Sequence, residues 1–301
     1  VVGRLAPTPS GRLHLGNVCA FAGAWLSARA RRGRVVLRIE DVDQPRARTD
    51  VEAGLRDDLQ WLGLDWDVET PRQSTRDYDP WLARLAGRTY RCGCTRAEVQ
   101  AAGGVYTGAC RDRGLTAGAV RFRLPDGAVS VVDGARGPVT IALAALGDPV
   151  LRRRDGVYAY NLAVVADDIA DAVTDVVRGA DLLEQSAVQA CLWEAFGRTP
   201  PSWLHTPLVL GEDGRKLSKS HGSTAVAALR QAGWAPADVW RLVLPWLGLS
   251  PAASIDEATA AFDPARIVHG PITAGVTVER HAVPRPSNSP SLSRHDQGAH
   301  Q

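Results

Sequence analysis

The stretch that decides the fold is Arg4-Leu5-Ala6-Pro7-Thr8-Pro9-Ser10-Gly11-Arg12-Leu13-His14-Leu15-Gly16-Asn17, read together with Val35-Val36-Leu37-Arg38-Ile39-Glu40-Asp41-Val42-Asp43. Residues 1–6 predict a short apolar strand running into a Pro/Gly-rich loop. From about His14 to Arg32, Val18, Phe21, Ala22, Trp25 and Leu26 recur at core-facing helical spacing. The β-branched run at 35–39 then reads as a buried parallel strand. Strand, loop, helix, strand is a βαβ unit, so the expected fold class is α/β with a Rossmann-type parallel sheet. Functional groups in such sheets gather at the carboxyl ends of strands, where the 7–17 loop and the acids at 40–43 fall.

Working outward, a helix is expected from about Thr49 to Leu62. Between about 88 and 156 the texture changes to short strands, many glycines and clustered cysteines, which reads as an insertion with its own small fold. The α/β pattern resumes with a helix at 158–168, a strand at Val173–Val177, a helix at 180–196 and a strand near Leu204–Leu210. Residues 225–233 and 236–248 read as a pair of packed helices. The expected organisation is a catalytic domain over 1–224 interrupted by the 88–156 insertion, a helical segment at 225–268, and a disordered Pro/Ser/His-rich tail over 269–301.

Of 35 basic residues only two are lysines, Lys216 and Lys219, both within Gly214-Arg215-Lys216-Leu217-Ser218-Lys219-Ser220-His221-Gly222. Positions that keep an ammonium where every other cation is arginine point to chemistry a planar guanidinium cannot supply. The bland alternative is two stray lysines on a surface loop. On a loop after a strand, two ammonium groups suit a clamp on a triphosphate, where their charge counts most as the pyrophosphate leaves. It is not a Walker loop, because the G-x-x-x-x-G-K-[ST] spacing is absent. Across the first loop, Gly11 and Gly16 let backbone approach a ligand, a helix amino end offers N–H groups to phosphate, and His14 can donate to phosphate oxygens.

A net charge of +2 neither supports nor excludes a nucleic-acid partner. No apolar run nears the roughly 18 residues a membrane span needs, and the start lacks the regions of a secretory signal. A cytoplasmic setting is therefore expected, with no membrane and no DNA partner. Five cysteines in that setting argue against a disulfide framework. Cys92, Cys94 and Cys110 cluster, while Cys19 and Cys191 read as inert core residues in helices.

His14-Leu15-Gly16-Asn17 and Lys216-Leu217-Ser218-Lys219-Ser220 resemble the paired HIGH and KMSKS signatures of class I aminoacyl-tRNA synthetases. The 4–11 stretch together with Leu37–Asp43 resembles the glutamyl branch, in matching order over roughly residues 3–248. Within that branch the chain is most similar to the short paralogues that glutamylate queuosine in tRNA(Asp). The chain ends soon after the helices at 225–248, whereas the larger relatives continue with an anticodon-binding region. Val164 also stands where glutamyl-tRNA synthetases have an asparagine that contacts the amino acid.

The resemblance implies ATP with Mg²⁺ at His14, Gly16, Asn17 and Lys219, with His14, Lys216 and Lys219 as the catalytic groups. It implies L-glutamate held by Arg4, Thr8, Glu40, Tyr160 and Arg178. That set suits glutamate, whose two carboxylates and one ammonium ask for two cations and an anion. Arg4 and Arg178 are expected to make bidentate carboxylate contacts. Asp41 and Asp43 are expected to partner nearby arginines. The cluster Cys92-x-Cys94, Tyr106, Cys110 matches the paralogue's pattern for one structural zinc. Tyr106, Asp112 or water could be the fourth ligand, and three buried thiols without metal is the plain alternative. The expected partner is tRNA, namely tRNA(Asp) carrying queuosine. The rivals are a C-terminally shortened glutamyl-tRNA synthetase, a non-catalytic RNA-binding relative, and a plain nucleotidylyltransferase.

Overall fold

The computed structural model describes residues 1–43, 49–217 and 224–274. Strand β1 (Val2–Leu5) passes through the Pro/Gly-rich loop into α1 (Leu15–Arg29) and returns as β2 (Arg34–Leu37), parallel to β1 with Arg4 opposite Val36. Helix α2 (Thr49–Trp61) leads to β3 (Val68–Glu69), parallel to β2. After α3 (Asp79–Ala83) come β4 (Thr89–Cys92), α4 (Arg96–Ala101), β5 (Ala119–Phe122), β6 (Ala128–Asp133), β7 (Gly137–Ala142) and β8 (Val150–Arg152). Then follow α5 (Tyr160–Ala170), β9 (Asp175–Gly179), α6 (Leu183–Ala195) and β10 (Ser202–Thr206). The described chain closes with β11 (Val209–Leu210), α7 (Val226–Gln231), α8 (Pro236–Val243), α9 (Ile255–Thr259) and β12 (Ile272–Thr273).

Strands β9 and β10 are parallel, with Arg178 opposite His205. Strand β9 runs beside β1, where Thr174 N donates to Val2 O at 3.0 Å and Val2 N donates to Thr174 Oγ1 at 2.9 Å. From β1 the chain winds outward through β2 and β3, and from β9 it winds the other way to β10. The direction reverses between β1 and β9, and a crevice at such a reversal is where open α/β sheets bind ligands.

Helix α1 is buried on nearly every side because it lies between the sheet and the C-terminal helices. Val18, Cys19, Ala22, Trp25 and Leu26 share one apolar core with Trp240, Val243, Leu247 and Ile255. Gly23 permits that close approach, since a Cβ there would sit 2.8 Å from Thr206 Cγ2. Any larger residue would lift the helix from β9 and β10. The opposite face is covered by α5 and α6, whose Leu162, Val165, Val188 and Leu192 pack with Phe122 and Val131. The result is an α/β/α arrangement in which two adjoining sheets, β1-β2-β3 and β7-β6-β10-β9, form the middle layer, parallel except at β7. Among the described residues no helix is long and apolar enough to cross a membrane.

Three details differ from the sequence reading. The 88–156 segment divides: β4, β5 and β8 form their own antiparallel sheet, but the β6–β7 hairpin joins β10 and widens the main one. Its alternation could show a half-buried strand but not which strand it would pair with. The region read as a tail from 269 onward starts with order, because Ile272 and Thr273 pair in parallel with Val209 and Leu210; residues 275–301 lie outside the described residues. The helix expected over 236–248 is α-helical only to Val243 and continues as a 3-10 turn over Leu244–Leu247, and both pieces share the core of α1.

Candidate active site

A cleft of about 460 Å³ opens at the reversal between β1 and β9. Arg4, Thr8, His14, Gly16, Asn17, Glu40, Tyr160, Arg178 and Lys216 all line it, so the structure brings together every described residue of the expected glutamate and nucleotide sites. Lys219 lies outside the described residues.

At one end two guanidinium groups meet from the two strands that flank the reversal. Arg4 on β1 donates through Nη1 to Val177 O at 3.1 Å, and its Nε lies 3.4 Å from Asp168. Arg178 on β9 is almost wholly buried, and that burial draws its pKa down. It donates to Tyr160 Oη at 3.2 Å, Gln189 Oε1 at 2.8 Å, Ser186 Oγ at 2.7 Å and His205 Nε2 at 3.4 Å. An arginine carries five N–H donors, so only one Nη2 proton stays available for a ligand. The bidentate contact expected of Arg178 therefore needs one of these internal bonds to exchange. Glu40 follows β2 and takes Arg38 Nη2 at 3.1 Å. Burial raises the pKa of its carboxyl, and the guanidiniums of Arg38 and Arg4 oppose that rise.

At the other end the loop enters α1. His14 is the helix N-cap: its Nδ1 accepts the Asn17 N–H at 3.3 Å while Asn17 Oδ1 accepts the His14 N–H at 3.1 Å. With Nδ1 spent as an acceptor, the neutral ring carries its proton on Nε2, the donor that chemistry at phosphate asks for. Gly16 makes room for this arrangement, because a Cβ there would press the imidazole at 3.1 Å. The loop is tied down by Arg12, which forks onto the buried carboxylate of Asp58 at 2.6 and 3.0 Å. Arg230 of α7 reaches the same carboxylate at 3.4 Å. Lys216 stands across the cleft on the hairpin after β11, its ammonium paired with the Asp181 carboxylate. Further along the chain Val226 N donates to Leu13 O at 2.8 Å, and Ala225 bridges His14, so the start of α7 braces the entry to α1.

The family described as tRNA synthetases class I (E and Q), catalytic domain, matches residues 1–261. The glutamyl-Q tRNA(Asp) synthetase of Nitratidesulfovibrio vulgaris is 43% identical over 282 residues, covering 83% of this chain and 87% of its own length. That of Deinococcus radiodurans is 44% identical over 280 residues, covering 86% and 94%. The chain belongs to the class I tRNA synthetases (E and Q), among the glutamyl-Q tRNA(Asp) synthetases. It is thus a ligase-type enzyme. The crystal structure of glutamate-tRNA synthetase from Elizabethkingia anophelis matches with a TM-score of 0.79 at 29% identity, over 91% of this chain and 68% of that one. A glutamate tRNA ligase from Elizabethkingia meningosepticum, solved in complex with its amino acid, matches with the same TM-score and identity over 91% and 66%.

Several groups of this synthetase site were not singled out from the sequence. Arg38 is fully buried and gathers Asp168 at 2.7 Å, Glu40 at 3.1 Å and Asp171 at 3.2 Å, which fixes Glu40 from behind. It stood inside the quoted Arg-Ile-Glu-Asp run, and a cation within an otherwise apolar run was the available signal. Asp41 binds Ser74 N at 2.8 Å and Ser74 Oγ at 2.6 Å instead of the expected arginine, while Asp43 does meet Arg153, at 3.3 Å. Val164 is wholly buried in α5, one turn from Tyr160.

Away from the cleft, the Sγ atoms of Cys92, Cys94 and Cys110 lie within 4.8 Å of one another and could hold a metal ion. Cys94 and Cys110 are 3.6 Å apart, close to the roughly 3.8 Å edge of a tetrahedron with Zn–S bonds of about 2.3 Å. The Tyr106 hydroxyl reaches into the cluster, accepting the Cys110 N–H at 2.8 Å. Burial raises the Cys110 thiol, but the Gly93 N–H and bonds from Tyr106 and the other two cysteines bring it down to about 6. Asp112 is turned to solvent and bound to Arg123 at 2.7 Å, so it is not a fourth ligand in this arrangement. Cys19 and Cys191 sit in the two helical cores, and burial pushes their thiols up to about 12 and about 11.

Proposed function

We propose that this synthetase activates L-glutamate with ATP and transfers it to queuosine in the anticodon of tRNA(Asp), in the cytoplasm. The observation that carries the reading is a single cleft with two cations and an anion at one end and His14, the amino end of α1 and Lys216 at the other. Arg4 and Arg178 take the carboxylates of glutamate, Glu40 its ammonium, and Tyr160 and Thr8 complete the enclosure. The α-carboxylate then attacks the α-phosphorus of ATP, and pyrophosphate leaves. No protein nucleophile takes part; the residues position the reactants and stabilise charge on the phosphates. His14 Nε2–H and the first turn of α1 face the developing charge together with Gly16 and Asn17, and Lys216 and Lys219 follow the leaving pyrophosphate. Mg²⁺ accompanies ATP and offsets the charge of its phosphates.

The acceptor assignment rests on relatedness: the glutamyl-Q tRNA(Asp) synthetases quoted above are 43% and 44% identical, against 29% for the glutamate-tRNA synthetases. The test is transfer of labelled glutamate to two tRNA pools, one containing queuosine and one lacking it. Label on the queuosine pool alone is expected. Equal label on both would point to charging of a tRNA 3′ end, and none on either to a non-catalytic RNA-binding protein.

We also propose that Cys92, Cys94 and Cys110 hold one structural zinc, with Tyr106 as the fourth ligand. Their spacing suits the ion, and a closed site of this kind stabilises a module too small for a large core. The purified protein is expected to carry one zinc per chain. The Cys110→Ser variant should lose it, and its thermal midpoint should fall by roughly 5–10 °C, equivalent to about 3 kcal/mol for a protein of this size. Metal analysis and a melt check both; a zinc-free wild type with the same midpoint rejects the assignment.

A further inference from the structure

Behind Arg178 lies a line of buried groups that no signature motif includes: Ser186 on α6, His205 on β10 and Asp133 at the end of β6. Ser186 and His205 are 0% exposed and Asp133 is 1% exposed. The direction of every hydrogen bond along the line follows from the chemistry of its ends. A guanidinium only donates, so Arg178 Nη2 donates to Ser186 Oγ at 2.7 Å. The Ser186 O–H is then left for His205 Nε2, 3.1 Å away. Nε2 also receives Arg178 Nε–H at 3.4 Å, so it is the bare nitrogen of the ring. The ring proton therefore sits on Nδ1 and is donated to Asp133 Oδ2 at 2.6 Å. Asp133 is itself fixed, because its Oδ1 accepts the backbone N–H groups of Ala135 at 3.0 Å and Arg136 at 2.9 Å.

Serine, histidine and aspartate in a row invite comparison with a nucleophilic triad, and the geometry rejects it. The Ser186 hydroxyl has no solvent access and already accepts from Arg178, so no substrate carbon can reach it. What the line can do is hold a guanidinium still. We propose that Asp133, His205 and Ser186 are positioning residues, a relay that fixes the imidazole tautomer and so sets the orientation of Arg178 toward the glutamate carboxylate. This rests on the glutamate-activating reading of the cleft.

Asp133→Asn tests it with almost no change in shape. Oδ1 must stay an acceptor for two backbone N–H groups, so the amide NH₂ falls where Oδ2 was and donates to Nδ1. The ring proton then moves to Nε2, which now faces Arg178 Nε–H donor to donor. In glutamate-dependent ATP–pyrophosphate exchange, the KM for glutamate should rise about 10–100-fold while the KM for ATP stays within about twofold. ¹⁵N spectra of the histidine rings should show the His205 tautomer inverted, with the signal assigned by its loss in His205→Gln. If Asp133→Asn does not fold, Ser186→Ala decides the matter, with an expected rise of about 3–10-fold in the glutamate KM alone. An unchanged glutamate KM in an active background overturns the relay, as does an equal rise in both KM values, which marks a merely structural role. A wild type with no exchange overturns the glutamate reading and the relay with it.

Discussion

Replacing Arg178 by lysine is expected to lower kcat/KM for glutamate by about 10²–10³-fold, roughly 3–4 kcal/mol, although the charge is kept. The guanidinium reaches Tyr160, Gln189, Ser186 and His205 at once from one rigid plane. An ammonium is a point with three donors on a flexible stem and cannot span those four partners while facing a carboxylate. The buried Ser186 and Gln189 would lose their donor, at a further cost of about 1–3 kcal/mol in stability for each acceptor left unmet. Kinetics with saturating ATP and a thermal melt separate the two effects. Because Arg178 keeps one N–H for ligand, the loss should fall on glutamate and leave the ATP KM unchanged. A variant with wild-type kinetics would remove Arg178 from the substrate site.

His14→Asn should lower kcat for glutamate-dependent exchange by about 10²-fold and leave the fold intact. His14 has two duties in the structure, and they can be divided. Nδ1 caps α1 by accepting the Asn17 N–H, while Nε2 carries the proton proposed to face the phosphates. Asparagine is a good N-cap and preserves the first duty, but it is too short for the second. His14→Ala should show the same kinetic loss and, in addition, about 1 kcal/mol less stability from the missing cap. If His14→Asn keeps full activity, the imidazole serves the helix alone.

Why some of this was legible in the sequence is instructive. The strand at 2–5, the loop with Gly11 and Gly16, and the helix from Leu15 are written in local pattern, since each depends on residues within a turn or two. The same holds for His14, whose capping role and proposed place beside the phosphates both come from standing at the first helix of a βαβ unit. The residues proposed to hold glutamate were assigned through family resemblance, not spacing, because Arg4 and Arg178 come from distant strands that only the strand order brings together. Arg38 with Asp168, and His205 with Asp133, are buried pairs separated by 130 and 72 positions. A charged residue within a buried strand announces that a partner exists but not where. The β6–β7 hairpin illustrates the same limit. The texture of the region gave short strands, but the edge they join was set by β10, far along the chain, and that edge carries Asp133 to His205.

One device unites these observations. The sheet reverses direction between β1 and β9, and the two strands at the reversal each bring an arginine to the crevice from a different side. Buried Asp168 and the Val177 carbonyl hold one and a buried relay the other, so both cations are oriented before substrate arrives.

The proposal that this crevice is built for glutamate meets its sharpest test in ATP–pyrophosphate exchange with glutamate, glutamine or aspartate as the only amino acid, in the presence of tRNA. Exchange with glutamate at least about 100-fold above the other two is predicted, because glutamine leaves a buried cation without its carboxylate and aspartate is too short to reach both arginines. Equal exchange with glutamine, or none with any of the three, would contradict it.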